Sequence, residues 1–510
     1  MTISRQALRL AAAIALPALL AACGGDPRPP DLGSIYARPE AGETPRRTPL
    51  ISVPGTLGSR LVHGPSGTVV WGGEAWLSVD PDDPRGVRMI ALPIPGDDAP
   101  VAGLADDVAA EGVLEVATAR VLGLPVGIDV YAGALDLLRL GGFARVLGTG
   151  ADTPEARNSY RFAYDWRRDI PALARAFGRF VEEKAEAHAA WRSAVEGRAV
   201  AAEDIRFDLV AHSMGALVTR WWLMHGDAPL AREGALPPVT WAGAGRFRRV
   251  VFVAPPNAGS VLAFENLVNG KSFGPLQPRY APALLATFPS NWQLMPRARH
   301  APVRRGTADG LAVTDLYDPA LWEARGWGLA GAPDEALATL MPDAPDPETR
   351  RVRARAHQAR LLRRAERVHA ALDRWGTPPE RLRTYLVVGG GFETPARAVV
   401  EEPGGAVTVG AVAEGDGVVL RSSVLLDERV GRDAPNGPLD TPLRFDTTLL
   451  LPDEHVRLTR NRVFADNLLF WLLDEPGGGG PLRRPDETGP FGAGEPVVAR
   501  EAPRPAPPDR

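Results

Sequence analysis

The sequence holds a single cysteine, Cys23, so no disulfide can close within one chain. It also lacks a strong excess of either charge. A formal net charge of -4 over 510 residues gives no general attraction for nucleic acid. The apolar run at the N-terminus, Leu10 to Ala22, is broken by Pro17 and is shorter than a membrane-crossing helix requires. Internal repeats are absent. The basic residues are mostly Arg with few Lys, a bias that carries no function of its own. What remains is ordinary globular composition, with 45% hydrophobic and 24% charged residues. The chain is long enough for one core carrying a large insertion.

The N-terminus is the first informative segment. Arg5 and Arg9 precede the apolar run, giving the charged start and apolar middle of a signal peptide. The run ends in Leu20-Ala21-Ala22-Cys23-Gly24, which resembles the bacterial lipobox. That resemblance implies cleavage after residue 22 and a lipid on Cys23. Gly24, rather than Asp, after the cysteine implies sorting to an outer membrane, facing the periplasm or the cell surface. Residues 23–48 are rich in Pro, Gly and Arg and read as a flexible tether. Residues 475–510, with four glycines from Gly477 to Gly480, are expected to be disordered for want of apolar side chains.

Between these ends, the short apolar runs Leu50 to Val53, Phe207 to Ala211, Val250 to Ala254 and Tyr385 to Val388 read as buried parallel strands. Helical patterns alternate with them at Ile170 to Ala190 and Ala216 to Met224. The fold class is therefore α/β, with a mostly parallel central sheet covered on both faces. Ligands of such sheets bind beyond the carboxyl ends of the strands. The core is expected in two parts, 49–259 and 380–474. An irregular insertion at 62–122 interrupts the first part, and 260–379 forms a cap between the two. The cap contains an Arg-rich helix, about Arg351 to Trp375. Its stripe of Leu361, Ala365, Val368 and Leu372 leaves a face of arginines that reads as solvated, or alternatively as a contact for anionic headgroups.

The chemistry centres on Phe207-Asp208-Leu209-Val210-Ala211-His212-Ser213-Met214-Gly215-Ala216. An apolar strand runs into a serine with a small residue two places away on each side, and a helix follows at once. This is the pattern of a strained strand-to-helix turn that lifts a nucleophilic Oγ above the sheet. Ala211 departs from glycine at the first position by one methyl. The bland alternative is an N-capping serine. The Met214 N–H, at the helix start, is placed to stabilise an oxyanion. A second donor is expected from the loop after an early strand, here Pro54-Gly55-Thr56-Leu57-Gly58-Ser59, with Thr56 first and Leu57 next.

Chain order in such enzymes is serine, acid, histidine. His455 fits the last place, after Leu451-Pro452-Asp453-Glu454 and before a terminal helix at about Arg460 to Leu473. His225, His357 and His369 lie within helical patterns and read as surface residues. His300 precedes any good acid candidate. Gly415-Asp416-Gly417 is the best acid site, its glycines allowing a sharp loop, although a plain hairpin turn is the alternative and Asp427 and Asp433 are the fallbacks.

Taken together, Val53 to Ser59, Tyr164-Asp165-Trp166-Arg167, Ala211 to Gly215, Gly415 to Val419 and Glu454-His455 resemble the lecithin:cholesterol acyltransferase family. So do Phe288 to Pro296 and Asp315-Leu316-Tyr317-Asp318-Pro319, as found in its bacterial members. The resemblance spans about residues 49 to 473. It implies an α/β-hydrolase fold with a cap, a Ser213-Asp416-His455 triad, oxyanion donors at Thr56 and Met214, and no metal or other cofactor. The implied activity is acyl transfer from lipid esters to water or an alcohol, of the phospholipase A or O-acyltransferase type. The lid disulfide of eukaryotic members cannot exist here. The expected partners are a lipid or ester substrate and a membrane surface, without nucleic acid, for a monomer. A general carboxylesterase and a non-catalytic surface lipoprotein of the same fold are the competing expectations. Tyr164 to Arg167 is expected either to rim an acyl site or to end a strand with a packed Trp.

Overall fold

Among the described residues, six strands form a single all-parallel sheet, most of them built on short, largely apolar runs. They are β1 (Leu50–Val53), β2 (Ser159–Arg161), β3 (Phe207–His212), β4 (Phe247–Val253), β5 (Arg383–Gly389) and β6 (Thr447–Leu451). Their spatial order is β2-β1-β3-β4-β5-β6. In the register of β1, Ile51 stands beside Tyr160 on one side and Leu209 on the other. The chain is seen here in a computed structural model that describes residues 48–473. Within that span it leaves out 74–78, 97, 122–123, 274–277, 403–404 and 433–436, and between 130 and 157 it describes only 131, 133, 134, 137, 138, 141 and 143. The segments expected to be a signal peptide, tether and disordered tail, with Cys23 and Asp433, lie outside the described residues.

Successive side chains of a strand point to opposite faces, so each face needs its own cover. On one face Ile51, Val53, Leu209, Ala211, Val250 and Phe252 pack against helices α1 (Ile170–Glu196) and α2 (Met214–His225). Helix α1 starts where Asp169 accepts the Ala172 N–H, with Pro171 in the first turn, and stops at Gly197 with φ 65°. A Cβ on Gly178 would lie 2.3 Å from the Trp222 ring, so glycine sets the close approach of α1 to α2. On the opposite face Leu50, Val251, Val253, Tyr385 and Val387 meet Phe464, Leu468 and Leu472 of the last helix, Arg462–Leu473. The expected α/β architecture with a covered parallel sheet is the one found.

Neither 62–122 nor 260–379 contributes a described strand to this sheet. The second stretch has an apolar centre of its own, where Phe264, Trp292, Trp322 and Trp327 meet Leu361 and Leu362 of helix α3 (Pro347–Leu372). A β-hairpin, Phe392–Val400 with Val407–Gly415, pairs in parallel with Val303–Arg305 beside this centre. No sequence signal marked that hairpin.

Two expectations about α3 are corrected. His357 and His369, like His225 in α2, are buried rather than on the surface. His369 Nε2 lies 2.8 Å from the Gln293 carbonyl and its Nδ1 lies 2.6 Å from the Tyr317 hydroxyl. The carbonyl can only accept, so Nε2 donates to it and Nδ1 accepts from the phenol. The arginine face is also not simply solvated. Arg364 binds both oxygens of Asp169 at 2.9 Å, fastening α3 to the start of α1. Arg351, Arg355 and Arg363 do remain exposed.

Tyr164 to Arg167 forms a polar clamp within the core. Fully buried Arg167 meets Asp165 through Nε at 2.9 Å and Nη2 at 2.7 Å, Asp106 at 2.8 Å, and the Ile90 carbonyl at 2.7 Å. Trp166 packs edge-on to Trp71 and Phe288. Of the two expectations for this segment, the packed strand end is the one found.

Candidate active site

Strand β3 delivers Ser213 in a backbone conformation of φ 52° and ψ -126°, a strained region for a residue with a side chain. Helix α2 begins at the next residue. The Ser213 N–H is tied to the Val253 carbonyl at 2.8 Å, which fixes the turn to the neighbouring strand β4. The small residues around the serine have a measurable purpose. A Cβ at Gly215 would sit 2.2 Å from the Pro54 carbonyl oxygen, a backbone atom that cannot swing aside. We therefore expect Gly215→Ala to displace the Pro54 loop from the serine, lowering both ester turnover and the denaturation midpoint. Retention of wild-type values for both would contradict this packing account.

Beyond β6, the chain turns through Pro452 to Glu454 and presents His455. Its Nε2 is 2.9 Å from Ser213 Oγ, and its Nδ1 is 2.7 Å from Asp416 Oδ2. The His455 N–H also donates to the Asp416 carbonyl at 2.9 Å, so main chain and side chain hold the two loops together. All three residues are buried, with Ser213 and His455 6% and 7% exposed. A carboxylate only accepts, which places the imidazole proton on Nδ1 and leaves Nε2 to accept from the serine hydroxyl.

Asp416 sits in a tight turn at the end of the Val407–Gly415 strand, closed by its own N–H to the Val419 carbonyl at 3.2 Å. Its Oδ1 accepts from the Val418 and Val419 N–H groups at 3.0 and 2.7 Å. Gly-Asp-Gly thus forms a tight turn whose carboxylate faces His455. Burial alone would raise this carboxyl, but the His455 charge and hydrogen bond, with the two backbone donors, hold it below the ordinary 3.8. At the end of β5, Gly389 makes room for it, since a Cβ there would stand 2.6 Å from Asp416 Cβ. The fallback Asp427 is bound instead to Arg429, at 2.7 Å.

The loop after β1 closes over the serine from the other side. Gly58 N–H bonds to the Gly55 carbonyl at 3.2 Å, and Leu57 takes a φ of 62°, making a turn with Thr56 and Leu57 at its apex. Tyr164 donates to the Pro54 carbonyl at 2.8 Å. A Cβ at Gly55 would lie 2.8 Å from Ser213 Cβ, so the glycine brings this backbone against Ser213. Among the described residues, no acceptor takes the Thr56 or Met214 N–H. An open cleft of about 660 Å³ borders the site, lined by Asp416 and His455 with Phe392, Val418 and Val456. Two residues in contact with the site had no role in the sequence reading: His212, inside the motif itself, and Tyr131, far from any motif.

No family model matches the chain, and no curated protein does. Solved structures with a similar course include the Tle4-Tli4 complex, at 14% identity and a TM-score of 0.49, covering 84% of this chain and 98% of that one. Lipase 1 from Pelosinus fermentans follows at 13% identity and a TM-score of 0.24, over 52% and 71% of the two chains. Phospholipase PlaB from Legionella pneumophila is similar over 33% of each chain, at 18% identity and a TM-score of 0.18.

Proposed function

We propose that this chain is a serine ester hydrolase or O-acyltransferase acting on lipid esters, with Ser213 as nucleophile, His455 as base and Asp416 as the residue that orients the base and stabilises its charged form. The observation that carries this reading is the continuous hydrogen-bonded line from Asp416 Oδ2 through His455 to Ser213 Oγ, at 2.7 and 2.9 Å. Nε2 would take the hydroxyl proton as Oγ attacks the ester carbonyl. The developing oxyanion would be met by the N–H groups of Met214 and Thr56, with Leu57 next in order. Collapse expels the alcohol, which takes the proton back from His455. Water or an acceptor alcohol then attacks the acyl-enzyme by the same proton path in reverse.

A lipid substrate is supported by the setting of the cleft. Val418 and Val456 are 39% and 38% exposed beside His455 and offer apolar surface to an acyl chain, while Glu393, Glu454 and Arg457 line the same cleft and could face a polar headgroup. It is also supported by the lipobox-like sequence at Cys23, which would hold the secreted enzyme on a membrane. We expect faster hydrolysis of phospholipid vesicles than of short soluble esters at matched ester concentration. A strong preference for the short esters would remove the lipid from this reading and leave a general esterase. Product analysis with and without an added alcohol separates transfer from hydrolysis.

A further inference from the structure

Two loops must be held in register for acyl transfer: the loop that meets the oxyanion and the loop that carries the base. Here a single line of side chains joins them. Gly55 N–H lies 2.7 Å from the Tyr131 hydroxyl, that hydroxyl lies 2.8 Å from His212 Nδ1, and His212 Nε2 lies 3.1 Å from the His455 carbonyl. The direction of every bond follows from its ends. A carbonyl only accepts, so His212 Nε2 carries the proton and Nδ1 must accept. Nδ1 therefore accepts a hydrogen bond from the phenolic O–H, and the phenolic oxygen accepts one from the Gly55 N–H. The imidazoles of His212 and His455 lie side by side, with ring centres 4.8 Å apart.

Both side chains of this line are buried, with Tyr131 8% and His212 4% exposed. Neither reaches the reacting atoms, and each polar atom involved has a partner. A merely space-filling pair would not need a histidine held in one tautomer. We propose that Tyr131 and His212 are positioning residues, which set the spacing between the oxyanion loop at Gly55 to Leu57 and the backbone of His455. This rests on the acyl-transfer reading above. Burial, with the neighbouring His455 charge adding to it, pushes His212 down to about 3, so its donor and acceptor pattern persists as pH varies above that value. The device therefore works as a fixed strut and not as a pH switch.

The test uses the full-length protein and a soluble ester, with a trifluoromethyl ketone that adds to Ser213 as a tetrahedral oxyanion adduct. Tyr131→Phe keeps the ring and removes the hydroxyl from the line. Misplacement of a reacting group by about 1 Å costs on the order of 100-fold, so kcat should fall between about tenfold and a hundredfold while KM stays within about twofold. Affinity for the ketone should fall in proportion to kcat, a change that a loss of packing alone would not produce. His212→Asn keeps an acceptor for Tyr131 and loses the link to His455, so it should lose kcat while holding most of its ketone affinity. This variant also serves if Tyr131→Phe does not fold. Wild-type kcat and ketone affinity in both variants would overturn the proposal. So would losses that vanish when rates are expressed per titrated active site. If the wild-type protein itself formed no ketone adduct, the reading of Ser213 would fall first and this inference with it.

Discussion

Asp416→Asn is expected to lower kcat for ester hydrolysis by about four orders of magnitude, as loss of the triad carboxylate does in comparable sites. The geometry explains why so small a change should cost so much. Asp416 Oδ1 is committed to the Val418 and Val419 N–H groups, so an asparagine would keep its carbonyl oxygen there. Its amide nitrogen would then face His455 Nδ1, in the place of the Oδ2 that now lies 2.7 Å away. A donor in that place forces Nδ1 to accept and moves the imidazole proton to Nε2, where it blocks proton transfer from Ser213. The fold should survive, since the turn keeps its backbone bonds. Circular dichroism should be unchanged while single-turnover rates collapse. Because the folded carboxyl lies below 3.8, its stabilising charge is fully present above that pH and is lost only as pH falls through the lowered value. The asparagine variant should therefore also lose that part of the acid dependence of stability. An activity within about tenfold of wild type would show that Asp416 does not govern the imidazole.

Arg167→Leu should produce the largest loss of stability, about 3–5 kcal/mol. The guanidinium is fully buried and satisfies Asp165, Asp106 and the Ile90 carbonyl at once. Removing it leaves two carboxylates near one another, with Arg168 as their remaining cation. Burying unpaired charge is the expensive part, more than the loss of the attraction itself. Equilibrium denaturation should register the loss as a lower midpoint. The exposed Arg351, changed to Ala, should change the unfolding free energy by no more than about 0.5 kcal/mol. Equal effects of the two would contradict the clamp.

How much of this was legible in the sequence depended on how local the governing physics is. The turn at Ser213 needs small neighbours within two residues, so its pattern is written in five consecutive letters. Strands β1, β3, β4 and β5 are buried along most of both faces, and each contains a short, largely apolar run. Strand β2 is only Ser-Tyr-Arg, and β6 lies at an edge with Leu450 54% exposed, so neither gives that signal. The Phe392–Val400 strand is interrupted by Pro395 and by register shifts on either side of Arg397. His357 precedes Leu361 by four residues on the same face of α3, so it extends the apolar stripe by one step and is buried with it, although a histidine gives no apolar signal. The meeting of Tyr131 with His212 had no sequence signal, since a single tyrosine 81 residues away carries no motif. Composition and order could point to the groups that touch the serine, but not to those that hold them apart.

The central claim is that the hydroxyl at position 213 is a nucleophile activated by its neighbours. Treatment with a fluorophosphonate followed by mass spectrometry of the digested protein tests it directly. The predicted result is one covalent adduct, located on Ser213, that is absent from Ser213→Ala and greatly slowed in His455→Ala. No labelling of the wild type, or labelling of wild type and Ser213→Ala alike, would contradict the account.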